Sequence, residues 1–139
     1  MKAISLAIVG ATGVVGRKFL EVLEERKIKI RTLVLFASER SQGMMILFQG
    51  KNYPVLTLNE ANVKNNPVEY ALFSAGSDVS LQYAPLFAKQ KTLVIDNSAA
   101  WRMDPNVPLV VPEVNPQDAF KHQYIVANPN CSTIRAVLS

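Results

Sequence analysis

The chain has 139 residues, of which 49% are hydrophobic and 19% charged, and its formal net charge is +4. This length allows one domain with a packed core, and no apolar run is long enough to cross a membrane. The start of the chain lacks the pattern of a cleavable signal peptide, and its single cysteine cannot form an internal disulfide. We therefore expect a protein of the reducing cytoplasm that has no membrane partner.

The positive charge is concentrated near the amino terminus. Residues 1–40 hold eight Lys and Arg against four Asp and Glu, whereas residues 41–139 hold seven of each. The basic residues form no long stripe and are not interleaved with aromatic side chains, so we expect no nucleic-acid partner. The charge favours a solvated helix end or a site for an anionic small molecule.

A glycine-rich turn, Gly10-Ala11-Thr12-Gly13-Val14-Val15-Gly16, follows a predicted strand over residues 4–9. A helix is predicted after it, ending near Arg26, with an inward face of Val15, Phe19, Val22 and Leu23. The backbone of such a turn approaches a pyrophosphate closely, and the start of the helix accepts its charge. A dinucleotide site is favoured, and a glycine turn of purely structural use is the alternative, because the spacing is not the strict G-x-G-x-x-G.

The segment after the second predicted strand, residues 29–36, indicates which dinucleotide binds. Ser38, Arg40 and Ser41 suit the 2′-phosphate of NADP, since a guanidinium binds a phosphate through two parallel hydrogen bonds. Glu39 instead suits the ribose hydroxyls of NAD. The sequence favours NADP.

Further elements follow in order. A hairpin is predicted within residues 44–56, with Met44 and Met45 as core filler and Pro54 indicating an edge strand. Residues 59–67 read as a polar linker, and strands are predicted over residues 68–73, 92–95 and 109–115. The helix between the first two of these strands is predicted to bury Leu81, Ala84, Phe87 and Ala88 and to kink at Pro85.

Small or polar residues follow these strands, where open α/β sheets bind ligands. Ser74-Ala75-Gly76 comes after one strand, and Asp96-Asn97-Ser98 after the next. Asn97 and Arg102 are candidates for an anion site, the alternative for Arg102 being a surface salt bridge.

The only cysteine, Cys131, lies between a predicted strand at residues 124–127 and a helix-like segment over residues 132–138. The dipole at a helix start favours the thiolate, which is the nucleophilic form, and Asn130 is a polar neighbour. A buried structural cysteine is the alternative. His122, the only histidine, lies a strand's length away from the thiol, so we expect it to be a solvated surface residue. No spacing indicates a metal site.

Taken together, these blocks resemble the N-terminal part of the aspartate-semialdehyde dehydrogenase family. The most specific match is Asn128-Pro129-Asn130-Cys131-Ser132-Thr133-Ile134. The other matching stretches are residues 10–16, 38–41, 73–76, 96–98, 101–103 and 111–115. The expected fold is α/β and Rossmann-like, a mostly parallel sheet with helices on both faces and a hairpin excursion at residues 44–56. We expect residues 1–139 to form an NADP-binding domain that ends just after the cysteine loop, without the family's C-terminal catalytic and dimerisation domain.

The resemblance also implies an activity and a set of roles. The family interconverts β-aspartyl phosphate and aspartate semialdehyde in amino-acid biosynthesis, and its members form homo-oligomers. Cys131 is then the nucleophile that forms a thioacyl enzyme, with Asn97, Arg102 and Asn130 binding substrate. The implied cofactor-binding residues are Gly10, Ala11, Thr12, Gly13, Val14, Val15, Gly16, Ser38, Arg40, Ser41, Ser74, Ala75 and Gly76. The family's acid/base histidine belongs to the second domain, so the isolated chain is expected to be inactive.

Two other functions remain open. One is a nucleotide-binding module without catalysis, and the other is a related acyl-phosphate reductase such as N-acetyl-gamma-glutamyl-phosphate reductase. Three residues depart from the family's pattern, namely Gln42, Asp78 and Arg135.

Overall fold

The computed structural model describes residues 3–98, 100–101 and 124–127. Its strands are β1 (Ile4–Val9), β2 (Ile30–Ala37), β3 (Met45–Phe48), β4 (Lys51–Thr57), β5 (Tyr70–Phe73), β6 (Leu93–Asp96) and β7 (Ile125–Ala127). Its helices are α1 (Val14–Glu25), α2 (Glu60–Asn65) and α3 (Ser77–Lys89), with a 3-10 turn over Glu39–Ser41. The strand predicted over residues 109–115 and the helical segment predicted after Cys131 lie outside the described residues. Within the described ranges, no helix is long and apolar enough to cross a membrane.

The strands form one sheet in the order β3-β4-β2-β1-β5-β6-β7. Every neighbouring pair is parallel except β3 and β4, which form an antiparallel hairpin. From β1 the chain first moves to β2 on one side and later to β5 on the other, which makes the end of β1 a topological switch point. The predicted Rossmann-like fold with a hairpin excursion is confirmed.

Alternate residues of β1 face two separate apolar cores. Leu6 and Ile8 belong to the core covered by α1, whereas Ala7 and Val9 belong to the core covered by α2 and α3. Helices therefore lie on both faces of the sheet, as predicted, and β1 is buried on both sides.

The buried faces of two helices differ from the prediction. On α1, Val15 is exposed and Leu20 lies in the core in its place. On α3, Leu81 is 51% exposed, whereas Ser80 is fully buried. Ser80 tolerates burial because its hydroxyl donates a hydrogen bond to Asp96. A prediction from the spacing of hydrophobic residues cannot identify a polar residue that faces inward because its hydrogen-bond partner lies on another element.

The hairpin turns at Gln49 and Gly50, whose φ angles are 51° and 79°. Positive φ at both central residues is the requirement of the two-residue turn that matches the twist of paired strands. The methionines are not core filler, since Met44 is 43% exposed and Met45 54% exposed. Met44 precedes β3, and on β3 the outward Met45 and Leu47 alternate with the inward Ile46 and Phe48, so the strand's register rather than side-chain type decides burial.

Pro54 does not lie on an edge strand, because β4 pairs with both β3 and β2. The N–H of Leu58 donates to the carbonyl of Ala37 on β2, so even-numbered residues of β4 direct their N–H toward β2. Pro54 has this orientation, and pairing with β2 begins only at Val55. The proline therefore marks where that pairing begins. The second predicted irregularity, Pro85, lies inside α3, which continues to Lys89.

The segment predicted to be a polar linker contains α2. Asn59 is its N-cap, and the Asn59 side chain accepts a hydrogen bond of 2.7 Å from the N–H of Asn62. Glu60 occupies the first turn, where a negative charge suits the helix dipole. The capping signal was present in the sequence, but the segment has only one buried residue, Val63, and so little hydrophobic period.

Candidate nucleotide site

The parallel register brings the carboxyl ends of six strands, all except β3, to the same side of the sheet, its carboxyl edge. Val9 pairs with Phe36 and with Phe73, and Asp96 pairs with Phe73 and with Ala127. Neighbouring strands lie about 4.8 Å apart, so the segments that follow β1 and β7 start roughly 15 Å from each other. The predicted site segments after β1, β2, β5 and β6 therefore share this edge.

The glycine loop is fixed to both neighbouring strands. The N–H groups of Gly10 and Ala11 donate to the carbonyl of Phe36 at 2.9 and 3.1 Å. Ser74 Oγ donates to the carbonyl oxygens of Val9 and Gly10 at 3.1 and 3.3 Å. Gly10 has a φ of +87°, and a Cβ there would lie 3.0 Å from the Ser74 backbone. Ser74 thus anchors the loop, and Ala11 turns its side chain into the core.

Helix α1 begins with exposed backbone at this edge. Its N-cap is Gly13, no side chain in the described residues caps it, and its first turn has no acidic residue. The N–H groups of Val14, Val15 and Gly16 have no intrahelical acceptor. A Cβ on Gly16 would lie 2.2 Å from the carbonyl oxygen of Gly10, so the helix packs directly on the loop. Bare amides at the positive end of a helix fit a pyrophosphate group.

A hydrogen bond joins the end of β2 to the glycine loop. Ser41 Oγ donates to Thr12 Oγ1 at 3.3 Å. Ser38 and Arg40 are exposed beside it on the 3-10 turn, and so is Glu39. In the part of the chain that the structure describes, neither Glu39 nor Arg40 forms an ion pair. The structure therefore brings the predicted phosphate-binding residues next to the loop and leaves the Arg40 guanidinium unpaired there.

The structure adds one basic residue that the sequence did not single out. Arg17 Nε donates to the carbonyl oxygen of Thr12 at 3.3 Å, which holds the guanidinium beside the glycine loop. Arg17 also lines a groove of about 700 Å³ that runs from Val14 along α1 toward β3. The helical period only places Arg17 off the apolar face of the helix, but a cation one residue past a glycine loop is a signal for anion binding.

Asn97 lies at the same groove. Its N–H donates to the carbonyl of Phe73 at 3.0 Å, which ties the start of the loop after β6 to β5. Its Oδ1 atom is buried and has no hydrogen-bond partner among the described residues, and the side chain lines the groove with Val14. A buried polar atom without a partner is uncommon and indicates a missing one. The predicted partnership with Arg102 stays a prediction, since Arg102 lies outside the described residues.

The remaining predicted site residues divide into two groups. Ala75 and Gly76 connect β5 to α3 at the same edge, with Gly76 as the N-cap. Cys131, Asn130 and the histidine His122 lie outside the described residues. Strand β7 ends at Ala127, four positions before the cysteine, and its pairing with β6 places the start of that segment at the ligand-facing edge.

Two departures from the family's pattern have local explanations. Gln42 Oε1 accepts a hydrogen bond of 2.6 Å from Thr57 Oγ1 and so ties the end of β2 to the end of β4. Asp78 is exposed in the first turn of α3, where its charge suits the helix dipole. Arg135 lies outside the described residues.

At the amino ends of the strands, on the side of the sheet opposite the candidate site, Glu69 joins three segments of the chain. Glu69 Oε1 accepts hydrogen bonds from Ser5 N at 2.8 Å and from Arg31 Nη2 at 3.2 Å. The Ser5 N–H, more than the charge of Arg31, holds the pKa of Glu69 below its ordinary value. These contacts join the starts of β1 and β2 to the segment before β5. Among the described residues no cluster of His, Cys, Asp or Glu could hold a metal ion.

Comparisons with known proteins agree with this geometry. The family model described as "Semialdehyde dehydrogenase, NAD binding domain" matches residues 5–122. Aspartate-semialdehyde dehydrogenase from Aquifex aeolicus is 59% identical over 136 residues, which cover 96% of this chain and 40% of that protein. The enzyme of the same name from Bacillus subtilis is 48% identical over 137 residues, covering 98% of this chain and 39% of that protein.

Among solved structures, the chain is similar to aspartate semialdehyde dehydrogenase II of Vibrio cholerae complexed with ASA. The TM-score is 0.83 at 45% identity, and the match covers 96% of this chain and 44% of that one. The chain thus spans about 40% of the length of the curated relatives it matches. It belongs to the semialdehyde dehydrogenase family, of which it carries the NAD-binding domain.

Proposed function

We propose that this chain is the cofactor-binding and nucleophile-bearing part of an NADP-dependent aspartate-semialdehyde dehydrogenase. The observation that carries the proposal is the uncapped start of α1, fixed by Ser74 on one side and by the Ser41–Thr12 hydrogen bond on the other. Relatives that are 59% and 48% identical bear this name, which supports the same substrate class. A homo-oligomer is proposed on the family resemblance alone.

The residues present fit a nicotinamide dinucleotide. The amides of residues 14–16 would hold the pyrophosphate, with Arg17 supplying a nearby positive charge. Ser38, Arg40 and Ser41 would hold the 2′-phosphate of NADP, because they lie beside the loop and carry hydroxyl and guanidinium donors. Glu39 would turn to solvent, since a carboxylate next to that phosphate is repelled.

The reacting group of the chain would be Cys131. Its Sγ forms a bond to the acyl carbon of β-aspartyl phosphate, and the bond from that carbon to the phosphate oxygen breaks, which releases phosphate and leaves a thioester. Asn97 and Arg102 would bind the phosphate, and backbone N–H groups near the cysteine would stabilise the oxyanion. The cofactor, when bound, would supply the hydride to the thioester carbon, and cleavage of the bond from that carbon to Sγ would release the aldehyde and return the Cys131 thiolate. Asn130 would orient the substrate beside the thiol.

Calorimetric titration of NADP and NAD tests the cofactor assignment. Wild type should bind NADP more tightly than NAD, and Arg40→Ala should weaken NADP roughly tenfold or more, since a hydrogen bond to a charged group contributes about 1.5–3 kcal/mol. NAD affinity should stay unchanged, because the lost contact is to the 2′-phosphate alone. Arg26→Ala is the matched control: it removes the same charge at the C-cap of α1, roughly 18 Å from the loop.

Four results would change the assignment. Equal or tighter binding of NAD contradicts the NADP preference, as does an equal effect of the Arg26 and Arg40 substitutions. NADP binding together with a Cys131 thiol no more reactive toward iodoacetamide than glutathione would favour a nucleotide-binding module without catalysis. Preference for another acyl phosphate in a thioester-trapping assay would favour a related reductase.

A further inference from the structure

A buried polar network lies behind the loop that carries Asn97. Asp96 and Ser80 are both fully buried. Asp96 Oδ2 accepts hydrogen bonds from Ser80 Oγ and, at 2.8 Å, from Ser98 Oγ, while Asp96 Oδ1 accepts from Ser98 N at 2.9 Å. Trp101 Nε1 in turn donates to Ser80 Oγ at 2.9 Å. The network therefore connects α3, the end of β6 and the loop over residues 97–101.

The hydrogen bonds of this network have one possible direction. An indole N–H only donates, so Ser80 Oγ accepts from Trp101 and must use its own proton toward Asp96. Ser98 Oγ likewise accepts from Ala100 N at 3.2 Å and donates to Asp96. Among the described residues Asp96 thus faces donors only, which suits a side chain that accepts through both terminal atoms.

A buried carboxylate is costly unless hydrogen bonds compensate for lost water. Asp96 forms no ion pair within the described ranges, so its hydrogen bonds to Ser80 and Ser98 carry that compensation. All of these contacts fix the residues on either side of Asn97. The Asn97 Oδ1 atom, by contrast, has no hydrogen-bond partner among the described residues, and Asn97 lines the groove beside α1.

We infer that Asp96 is a positioning residue: through Ser98, Ser80 and Trp101 it fixes the loop after β6 so that the Asn97 amide, which would bind the substrate phosphate, also reaches the cofactor at the start of α1. The inference rests on the proposed function in one respect, namely that the ligand is NADP. Asp96 itself does not touch the ligand, since it is fully buried.

The Asp96→Asn variant tests the inference because it keeps the shape and changes only the direction of hydrogen bonding. In one orientation of the new amide its NH2 group faces the Ser98 N–H, and in the other it replaces the acceptor of the two hydroxyls, whose protons must then turn elsewhere. We expect red-shifted emission from Trp101, the only tryptophan, and faster hydrogen exchange of the Asn97 and Ser98 amides. NADP affinity should fall roughly three- to tenfold, the effect of one misplaced hydrogen bond.

Thr92→Val is the matched control. Thr92 Oγ1 is buried and donates to the Val68 carbonyl at 2.6 Å, at the other end of β6, so its loss lowers stability without touching the loop. We expect lower thermal stability in this variant, with Trp101 emission, Asn97 exchange and NADP affinity all as in wild type. Ser80→Ala should reproduce the Trp101 shift of Asp96→Asn, since it removes the acceptor of the indole N–H.

Each outcome decides between positioning and plain stability. If Asp96→Asn only lowers the melting temperature, as Thr92→Val does, with the Asn97 amide equally protected, the inference is overturned. If wild type binds no NADP, the proposed function fails, but the emission and exchange measurements still decide whether Asp96 fixes the loop. If Trp101 emission and amide exchange both change while NADP affinity stays as in wild type, Asn97 is not presented to NADP.

Discussion

Replacing Gly16 by alanine should disrupt the contact between α1 and the glycine loop. An added Cβ would lie 2.2 Å from the carbonyl oxygen of Gly10 and 2.9 Å from Cα of Ala11. Carbon atoms in favourable contact lie about 3.5–4.0 Å from their neighbours, so the helix or the loop must move by roughly 1 Å. Both obstructing groups are backbone, and Gly10 and Ala11 are hydrogen-bonded to β2. No side chain can rotate away to make room.

The expected magnitude follows from two opposing effects. Overpacking a closely packed site costs about 1–3 kcal/mol, and the upper end applies because backbone must shift. Alanine inside a helix is more favourable than glycine by about 1 kcal/mol, which offsets part of that cost. The net loss is about 2 kcal/mol, and a domain of this size then melts about 8 °C lower. NADP binding should weaken as well, because the displaced helix start carries the amides that face the pyrophosphate.

Gly13→Ala, three residues earlier in the same glycine-rich segment, provides the control. Its added Cβ would lie 3.5 Å from the Gly10 oxygen, which is ordinary contact, and Gly13 has a φ of −77° that any residue adopts. We expect a loss below about 1 kcal/mol there, the modest cost of a poorer N-cap. Thermal unfolding followed by circular dichroism measures both variants. A Gly16→Ala protein as stable as Gly13→Ala would refute the close-packing explanation.

Three further predictions concern the core, the pH dependence and the activity. Phe87→Ala should lower the free energy of unfolding by about 3–5 kcal/mol in denaturant titrations, because its ring packs edge-on against Phe36 and Phe73; a loss below about 1 kcal/mol would contradict this. The pKa of Glu69 is lowered in the folded chain, so its stabilising effect is present above about pH 5 and is lost as the pH falls through the folded pKa. The melting-temperature gap between wild type and Glu69→Gln should therefore shrink with acidification, and a gap independent of pH would count against this role of Glu69. The 139-residue chain alone should form no NADPH from aspartate semialdehyde and phosphate. His122 precedes the amino end of β7 while Cys131 follows its carboxyl end, so the histidine cannot serve the thiol, and the missing acid–base catalysis contributes about 10²–10⁴-fold. Turnover that His122→Ala abolishes would show that His122 is the acid/base.

The sequence predicted the strands better than it predicted the helices. Strand β1 matches its predicted bounds, Ile4–Val9, because a strand buried on both faces is a mostly apolar run, here with Ser5 as its one polar residue and a glycine turn at its end. A helix buries only one stripe, and which stripe depends on its partner. Ser80 replaced Leu81 on the inward face of α3 because Asp96, sixteen positions later, offers a buried acceptor. No local pattern contains that information.

The position of the candidate site was predictable for a different reason. In a parallel sheet whose strands are in register, residues that follow strand ends become neighbours in space even when dozens of positions separate them in the chain. Thr12 and Ser41 illustrate this, since they follow β1 and β2 and meet at 3.3 Å. What the chain order does not show is which of these polar residues serve the ligand and which serve the loops. Ser74 donates its hydroxyl proton to the backbone of the glycine loop, whereas Asn97, one position past Asp96, keeps a buried oxygen without a partner among the described residues. Hydrogen-bond satisfaction, which only the structure provides, favours Asn97 as a ligand-binding candidate and shows Ser74 holding the loop, while the contact of Ser74 with the cofactor stays a prediction.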